Sequence, residues 1–374
     1  MDDIVDVQLE IQVALAALML IPVYYWYKMR KIIPQEDLAE FDEDDNSRIH
    51  IILPMRNEIK NVERKISSII SEILPHKTVF LTVADSGSND GTSSVAEDFL
   101  ESSSLEDTRW CVENFEVRGK NVALNGVIDR YEADIFVMSD ADAEVSAGWL
   151  QVVRSRLSEE KIGVVSGIER EKSGGADFSS FYRRKSNWLR INESRLDSSP
   201  VLEGSLLAWK TSAVGSFRFD ERANADDAQI ALHSIKSGYR SIVDPRVAFE
   251  DFENKKRTFS ESIRRAQGLS IALMRNSDLT IMRGRGDARS AIFNAIALYI
   301  FFPWSALFFM INAFIAFSSD PIIAHSWEFY SICSIVIVSM IPQGRSLIIG
   351  SAISIIAHMQ AMIGRRYNNW EPTR

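Results

Sequence analysis

"VMSDADAEV", residues 137–145, closes an apolar run with two aspartates one residue apart, Asp140 and Asp142. Two readings compete there: a solvated turn after a buried strand, and a pair of carboxylates that hold a metal ion against a phosphorylated ligand. Spacing alone does not choose, because a chain of this length carries on the order of one or two such pairs by chance. Asp42 and Asp44 in "EFDEDDNS" repeat the pattern inside an acidic polar stretch with no strand before it, which reads as a solvated linker over 31–46. Context has to decide.

Outward from this stretch, short apolar runs alternate with segments of helical period. "IHIILP" (49–54) reads as a buried first strand, and "NVERKISSIISEIL" after it as a helix with apolar residues at helical spacing. "VFLTVADSGSNDGT" (79–92) is a strand running into a polar turn, "DIFVMSDAD" (134–142) a third strand, and "KIGVVSGI" (161–168) a fourth. The alternation predicts an α/β domain with a largely parallel, Rossmann-like sheet. Ligands bind such sheets at the carboxyl ends of the strands. Those ends carry Arg56, Asn57 and Glu58, then Asp85, Ser86 and Asp90, then Asp140 and Asp142. One polar end is an ordinary turn; three in succession point to one site.

"ILPMRNE", "VADSGSNDGT", "RGKNVALNGVI" and "VMSDADAEV", in this order, resemble the nucleotide-sugar half of the inverting family 2 glycosyltransferases with the GT-A fold. The resemblance covers roughly 47–270, and a catalytic domain is expected over 47–275. It implies a nucleotide-sugar donor whose diphosphate leaves with negative charge, neutralised by a divalent cation, Mg2+ or Mn2+, acting as a Lewis acid. Asp142 is the expected direct ligand, with Asp140 sharing the metal or the ribose. Glu144, two residues further along an extended segment, is either a third ligand or a solvated carboxylate. Asp85 is expected to accept a hydrogen bond from the base. Pro54, Arg56, Asn57 and Glu58 are expected around the base and ribose, while Lys120 and Asn125 close over the donor. Arg56 stands where relatives carry an aromatic or small residue.

"VLEGSLLAWKTSAV" (201–214) resembles the strand and turn beneath the acceptor, with Gly204 allowing close approach. In "ANADDAQIALHSIKSGYR", Asp227, preceded by Asp226, falls on the family's general-base position. An inverting displacement on a hydroxyl needs a base within reach of the attacking oxygen, and a neighbouring like charge raises such a base's proton affinity. Paired aspartates also make good helix starts. "KKRTFSESIRRAQGLSIALMR" (255–275) reads as a basic amphipathic helix that lies on an anionic membrane or offers Arg264 or Arg265 to the diphosphate. It lacks the tryptophan that processive relatives carry here, so a single transfer is expected.

The ends of the chain read as membrane segments. "IQVALAALMLIPVYYWY" (11–27) is apolar, ends in aromatic residues and precedes "KMRK", whereas its leading flank is acidic. A cleavable signal would carry its positive charges first, so residues 1–30 read as a retained anchor that leaves the catalytic domain cytoplasmic. Residues 291–317, 321–341 and 346–363 are each apolar enough to cross, giving a C-terminal region (276–374) of two to three segments. Three crossings would put the basic tail "GRRYNNWEPTR" outside, against the positive-inside tendency. A net charge of −9 argues against a nucleic-acid partner. Two distant cysteines, Cys111 and Cys333, indicate neither a disulfide framework nor a zinc site.

The expected protein is thus an integral cell-membrane enzyme moving a sugar from a nucleotide-sugar to a membrane lipid or lipid-linked acceptor. A polyprenyl-phosphate acceptor would need no base. The rivals are a nucleotidyltransferase, a catalytically silent scaffold of the same fold, and, least favoured, a transporter.

Overall fold

The computed structural model describes residues 2–32, 46–170, 178–252, 258–319 and 340–365. Most of the linker at 31–46, with Asp42 and Asp44, and all but the last two residues of the candidate segment at 321–341 lie outside the described residues.

β1 (Ile49–Met55) is buried along its length, as its unbroken apolar run requires of a strand covered on both faces. Ile51, Leu53 and Met55 point into one core. Ile66 and Ile69 of α2 (Val62–Ile73) and Trp149 and Leu150 of α5 (Trp149–Ser158) close that core. Ile52 points into the other, with Leu124 and Val127 of α4 (Lys120–Arg130) and Ile230 of α8 (Asp226–Lys236). β2 (Val79–Asp85), α3 (Thr92–Glu101), β3 (Trp110–Asn114), β4 (Ile135–Ser139) and β5 (Ala143–Val145) complete the first half. β6 (Ile162–Glu169), α6 (Phe178–Leu196), β7 (Leu206–Lys210), α7 (Thr211–Val214) and β8 (Arg240–Asp251) complete the second.

The eight strands form one sheet in the order β3-β2-β1-β4-β7-β6-β8-β5. β1, β2, β3 and β4 are parallel, as are β6 and β8, but β7 runs antiparallel to both β4 and β6. The sheet is therefore mixed, mostly parallel rather than uniformly so. The reversal has a consequence for the site: β7 pairs Leu206 with Ser139, so the residues leading into it, Glu203 to Ser205, arrive at the carboxyl end of β4.

The β1 to β4 ladder stops at Ile52 and Met138, while β1 stays paired with β2 as far as Met55 and Asp85. Beyond Ile52 the two central strands diverge. Pro54, which has no N–H to donate, is tolerated in a central strand because one flank has already lost its partner there. The crevice between these strands is the floor of the site.

Phe115 packs against α4 through Gly126, where an added Cβ would lie 2.2 Å from Cε1 of the ring. Gly126→Ala is expected to destabilise the fold by about 1–3 kcal/mol through overpacking, read as a lowered unfolding midpoint.

α1 (Asp2–Met29) and the helix that runs from α10 (Gly286–Ile296) through a π-turn into α11 (Phe302–Ser319) contain the stretches Leu9–Met29 and Gly286–Ile315. Both are long and apolar enough to cross a membrane. They pack antiparallel: Asn312 Nδ2 donates to Gln12 Oε1 at 2.7 Å near one end, and Lys28 lies 3.6 Å from Asp287 at the other. α12 (Pro342–Met362) returns to α9 (Phe259–Arg275). There Trp304 Nε1 donates to His358 Nδ1 at 3.0 Å, so the other ring nitrogen carries the proton and faces Ser270 Oγ at 2.8 Å. Gln267 donates to the Arg365 carbonyl at 2.9 Å. This brings the end of α12 back beside α9; residues 366–374, most of the basic tail, lie outside the described residues.

Candidate active site

The acidic pair sits where β4 leaves the sheet. The Asp140 amide donates to the Ser205 carbonyl at 3.2 Å, and the Asp142 carbonyl accepts from Phe252 N at 2.8 Å. The stretch between β4 and β5 is thereby pinned to the start of β7 and the end of β8. Lys120, first residue of α4, places Nζ 2.7 Å from Asp140 Oδ1 and 2.9 Å from Asp226 Oδ2. Burial works against its charge, but the two carboxylates outweigh it and raise its pKa. Lys120 thus joins the first aspartate after β4 to the first aspartate of α8, 86 residues later in sequence. Gly204 lies against this pair: a Cβ there would meet Asp226 Oδ2 at 3.7 Å and Lys120 Nζ at 3.8 Å.

Asp226 and Asp227 occupy the first turn of α8, so the helix-start role and a place in the cleft are compatible. The residue before them, Ala225, has φ +64, a left-handed conformation that costs a non-glycine residue of order 1–3 kcal/mol and clusters at functional sites. The loop that makes this turn lies on α9 at Gly268, where a Cβ would fall 2.8 Å from the Asn224 carbonyl carbon. Asp227 Oδ1 accepts from Ala228 N at 2.7 Å. Burial first, then the charges of Asp226 and Glu203, push its pKa up to about 7. Glu203 forms an ion pair with Arg190 of α6.

Asp142 is exposed at the cleft. The protein surrounding it, then Asp140 and Asp251, push its pKa up to about 6. Among the described residues Arg265 of α9 makes no hydrogen bond or ion pair, yet its guanidinium feels Glu203, Asp140, Asp227 and Asp142. Their combined field outweighs desolvation and raises its pKa. For Arg264, desolvation and then the charge of Arg265 lower the pKa. α9 opens with a capping box between Thr258 and Glu261, which fixes its start beside the cleft. Residues 253–257, with the lysines of the basic run, lie outside the described residues.

On the β1 and β2 side, Asp85 is 2% exposed; Oδ1 accepts from Ser88 N at 2.8 Å, and Oδ2 has no partner among the described residues. A buried acceptor left open is costly unless a ligand donor fills it. Pro54 and Arg56 are buried beside it. Asn57, with φ +55, and Glu58 tie the two loops together: Asn57 N donates to Ser88 Oγ at 2.8 Å, Asn89 N to Asn57 Oδ1 at 2.9 Å and Glu58 N to Thr92 Oγ1 at 2.9 Å. Asn57 therefore shapes the pocket wall through its backbone N–H and its side-chain carbonyl, and Glu58 through its backbone N–H.

Two expected site residues are directed elsewhere. The Asn125 amide exchanges both of its hydrogen bonds with the Phe219 backbone at 2.9 Å and adds one to Glu221 at 3.2 Å. It anchors the 217–223 loop instead of closing over a donor. Glu144 is paired with Arg64, which also lies 4.1 Å over the Phe252 ring; its carboxylate is occupied by this ion pair.

Sequence reasoning passed over Glu203, although it lies inside "VLEGSLLAWKTSAV" next to Gly204, and Arg190, which lies in a stretch without a motif. It also passed over Lys65, which is 0% exposed on α2; burial lowers its pKa to about 8 against the pull of Asp140, Asp142 and Glu144. Lys65 did carry a signal, since it interrupts the apolar stripe of Val62, Ile66 and Ile69, and lysine is almost never fully buried without a purpose.

Acids and cations gather at the carboxyl ends of a mixed α/β sheet, and the fold is GT-A. Residues 50–216, somewhat under half of the chain, match the model of glycosyl transferase family 2. A mannosyltransferase, PcManGT from Pyrobaculum calidifontis, solved in complex with GDP-Man and Mn2+, superposes with a TM-score of 0.80 at 23% identity. The match covers 96% of this chain and 99% of that one, a likeness that establishes the fold. Glycosyltransferase AglE of Haloferax volcanii is 27% identical over 119 residues, 32% of this chain. The chain spans 38% of the length of that relative.

Proposed function

We propose that this protein is a membrane-bound, inverting, metal-assisted glycosyltransferase that moves a hexose from a nucleotide-sugar to a membrane lipid or lipid-linked acceptor. On this reading residues 47–275 are the catalytic unit, facing the cytoplasm, and the flanking helices hold it at the cell membrane. The observation that carries it is the convergence of Asp140, Asp142, Lys120, Asp226, Asp227 and Arg265 from β4, α4, α8 and α9.

The donor set fits a hard divalent cation. Among the described residues no three His, Cys, Asp or Glu side chains gather to cage a metal. One exposed carboxylate, Asp142, with Asp140 beside it, is what Mg2+ or Mn2+ takes when substrate phosphates and water fill its other positions. When bound, that cation supplies Lewis-acid neutralisation of the departing diphosphate. The open oxygen of Asp85 accepts from the base, with Pro54 and Arg56 flanking it. Arg265, which has no ion-pair partner among the described residues, faces the diphosphate and offsets the negative charge that grows as the glycosidic bond breaks. Asp227 takes the proton of the acceptor hydroxyl while its oxygen bonds the anomeric carbon from the opposite face, and the nucleoside diphosphate leaves.

A polyprenyl-phosphate acceptor is the second reading. What favours it is Arg264 and Arg265 on α9, the helix against which α12 packs, where an anionic headgroup would meet them. Incubating membranes that contain the protein with a panel of labelled sugar nucleotides tests the proposal. One label is expected in the lipid extract, dependent on Mn2+ or Mg2+; label that stays water-soluble across the panel sinks the lipid acceptor.

A further inference from the structure

Lys65 is a fully shielded cation whose hydrogen bonds among the described residues go to neutral acceptors. Among the described residues its Nζ bonds Ser139 Oγ at 2.7 Å and the Ala143 carbonyl at 2.5 Å. These are the last residue of β4 and the first of β5, so one ammonium grips both ends of the three residues that present Asp140 and Asp142. Directions are fixed as well. The Ser139 hydroxyl spends its proton on the Ser205 carbonyl at 2.7 Å, so towards Lys65 it can only accept, and the lysine must be the donor. The chain Lys65 to Ser139 to Ser205 runs in one sense and ties α2, β4 and the segment entering β7 to the acidic loop.

An ammonium buried this deeply is costly, and an apolar side chain would complete the stripe of α2 at no such cost. Arg64, its neighbour, holds Glu144 on the outer side of β5, so α2 fixes the loop and the strand after it from two sides.

We propose that Lys65 is the positioning residue of the acidic loop, a clasp that sets the separation of Asp140 and Asp142 for the donor's diphosphate and its cation. This rests on the reading that Asp142 holds that cation. Residues that orient metal ligands without touching the metal typically contribute about 10–100-fold in metal affinity, and an effect of that size is expected here.

The test measures GDP and UDP binding to the full-length protein in detergent, with and without Mn2+, alongside turnover of the donor that the panel identifies. Lys65→Met, Ser139→Ala and Asp142→Asn are compared with the unaltered chain. Lys65→Met should keep the metal-free nucleotide affinity, which the Asp85 pocket supplies, and lose about 10–100-fold of the Mn2+-dependent gain. Ser139→Ala should lose part of it. A lysine that merely supports the fold would lower both affinities together or neither. If both variants keep the full Mn2+ gain while Asp142→Asn loses it, the clasp is refuted and the reading of Asp142 stands. If Asp142→Asn keeps the gain too, that reading falls and the clasp with it. Should Lys65→Met not fold, Ser139→Ala decides alone: a diminished gain supports the clasp, an undiminished one overturns it.

Discussion

Asp142→Ala should lower kcat/KM by about a thousandfold, while nucleotide binding in the absence of divalent ions survives. Lewis-acid neutralisation of a leaving diphosphate is worth several kcal/mol, and each ~1.4 kcal/mol is a factor of ten in rate. On the proposed reading that interaction depends on Asp142, which is exposed and has no ion pair among the described residues, whereas Asp140 is already drawn to Lys120. The two losses separate because the base pocket is built from β1 and β2, across the crevice from the acidic loop. Steady-state kinetics with Mn2+ titrated against each protein, together with metal-free GDP and UDP binding, reads both. A variant that keeps its activity and its Mn2+ dependence would return the pair at 140 and 142 to a solvated turn.

Which parts of this arrangement the sequence foretold follows from how each is encoded. The donor half is written locally: an apolar run sets a strand, and the polar residues just after it must lie at its end, so Asp85, Asp140 and Asp142 could be placed without coordinates. Strand direction is not local. Nothing in "LLAWK" distinguishes a parallel from an antiparallel strand, and the reversal of β7, which delivers Glu203 and Gly204 to Asp140, emerged only from the pairing of Leu206 with Ser139. Side-chain direction on a helix is equally hidden when both faces are covered. Asn125 and Lys120 lie five residues apart on α4, yet one turns to the Phe219 backbone and the other to the carboxylates. Lys65 shows the converse, a residue whose misfit to its own helical pattern was visible although its partner loop was not.

Asp227→Asn decides between the two acceptor classes, and it is expected to lower kcat/KM by about 10²–10⁴-fold if the nucleophile is a hydroxyl. The pH profile sharpens the test. Asp227 lies half-buried beside Asp226 and Glu203, with Arg190 and Arg265 as the cations that face it; desolvation, then those two carboxylates, push its pKa up to about 7. A base works only when deprotonated, so the rate should be half-maximal near pH 7, level off above about pH 8 and fall about tenfold per unit below about pH 6. Glu203→Gln removes one of the charges that hold this pKa up, so the acidic limb should move to lower pH, whereas Asp227→Asn should abolish the limb with the activity. A phosphate nucleophile is already ionised at neutral pH and needs no proton removed. With such an acceptor Asp227→Asn would run near the unaltered rate, and no limb near pH 7 would trace to Asp227. The two outcomes differ by at least two orders of magnitude in one variant, so the rate of Asp227→Asn with the acceptor present in native membranes is sufficient to choose.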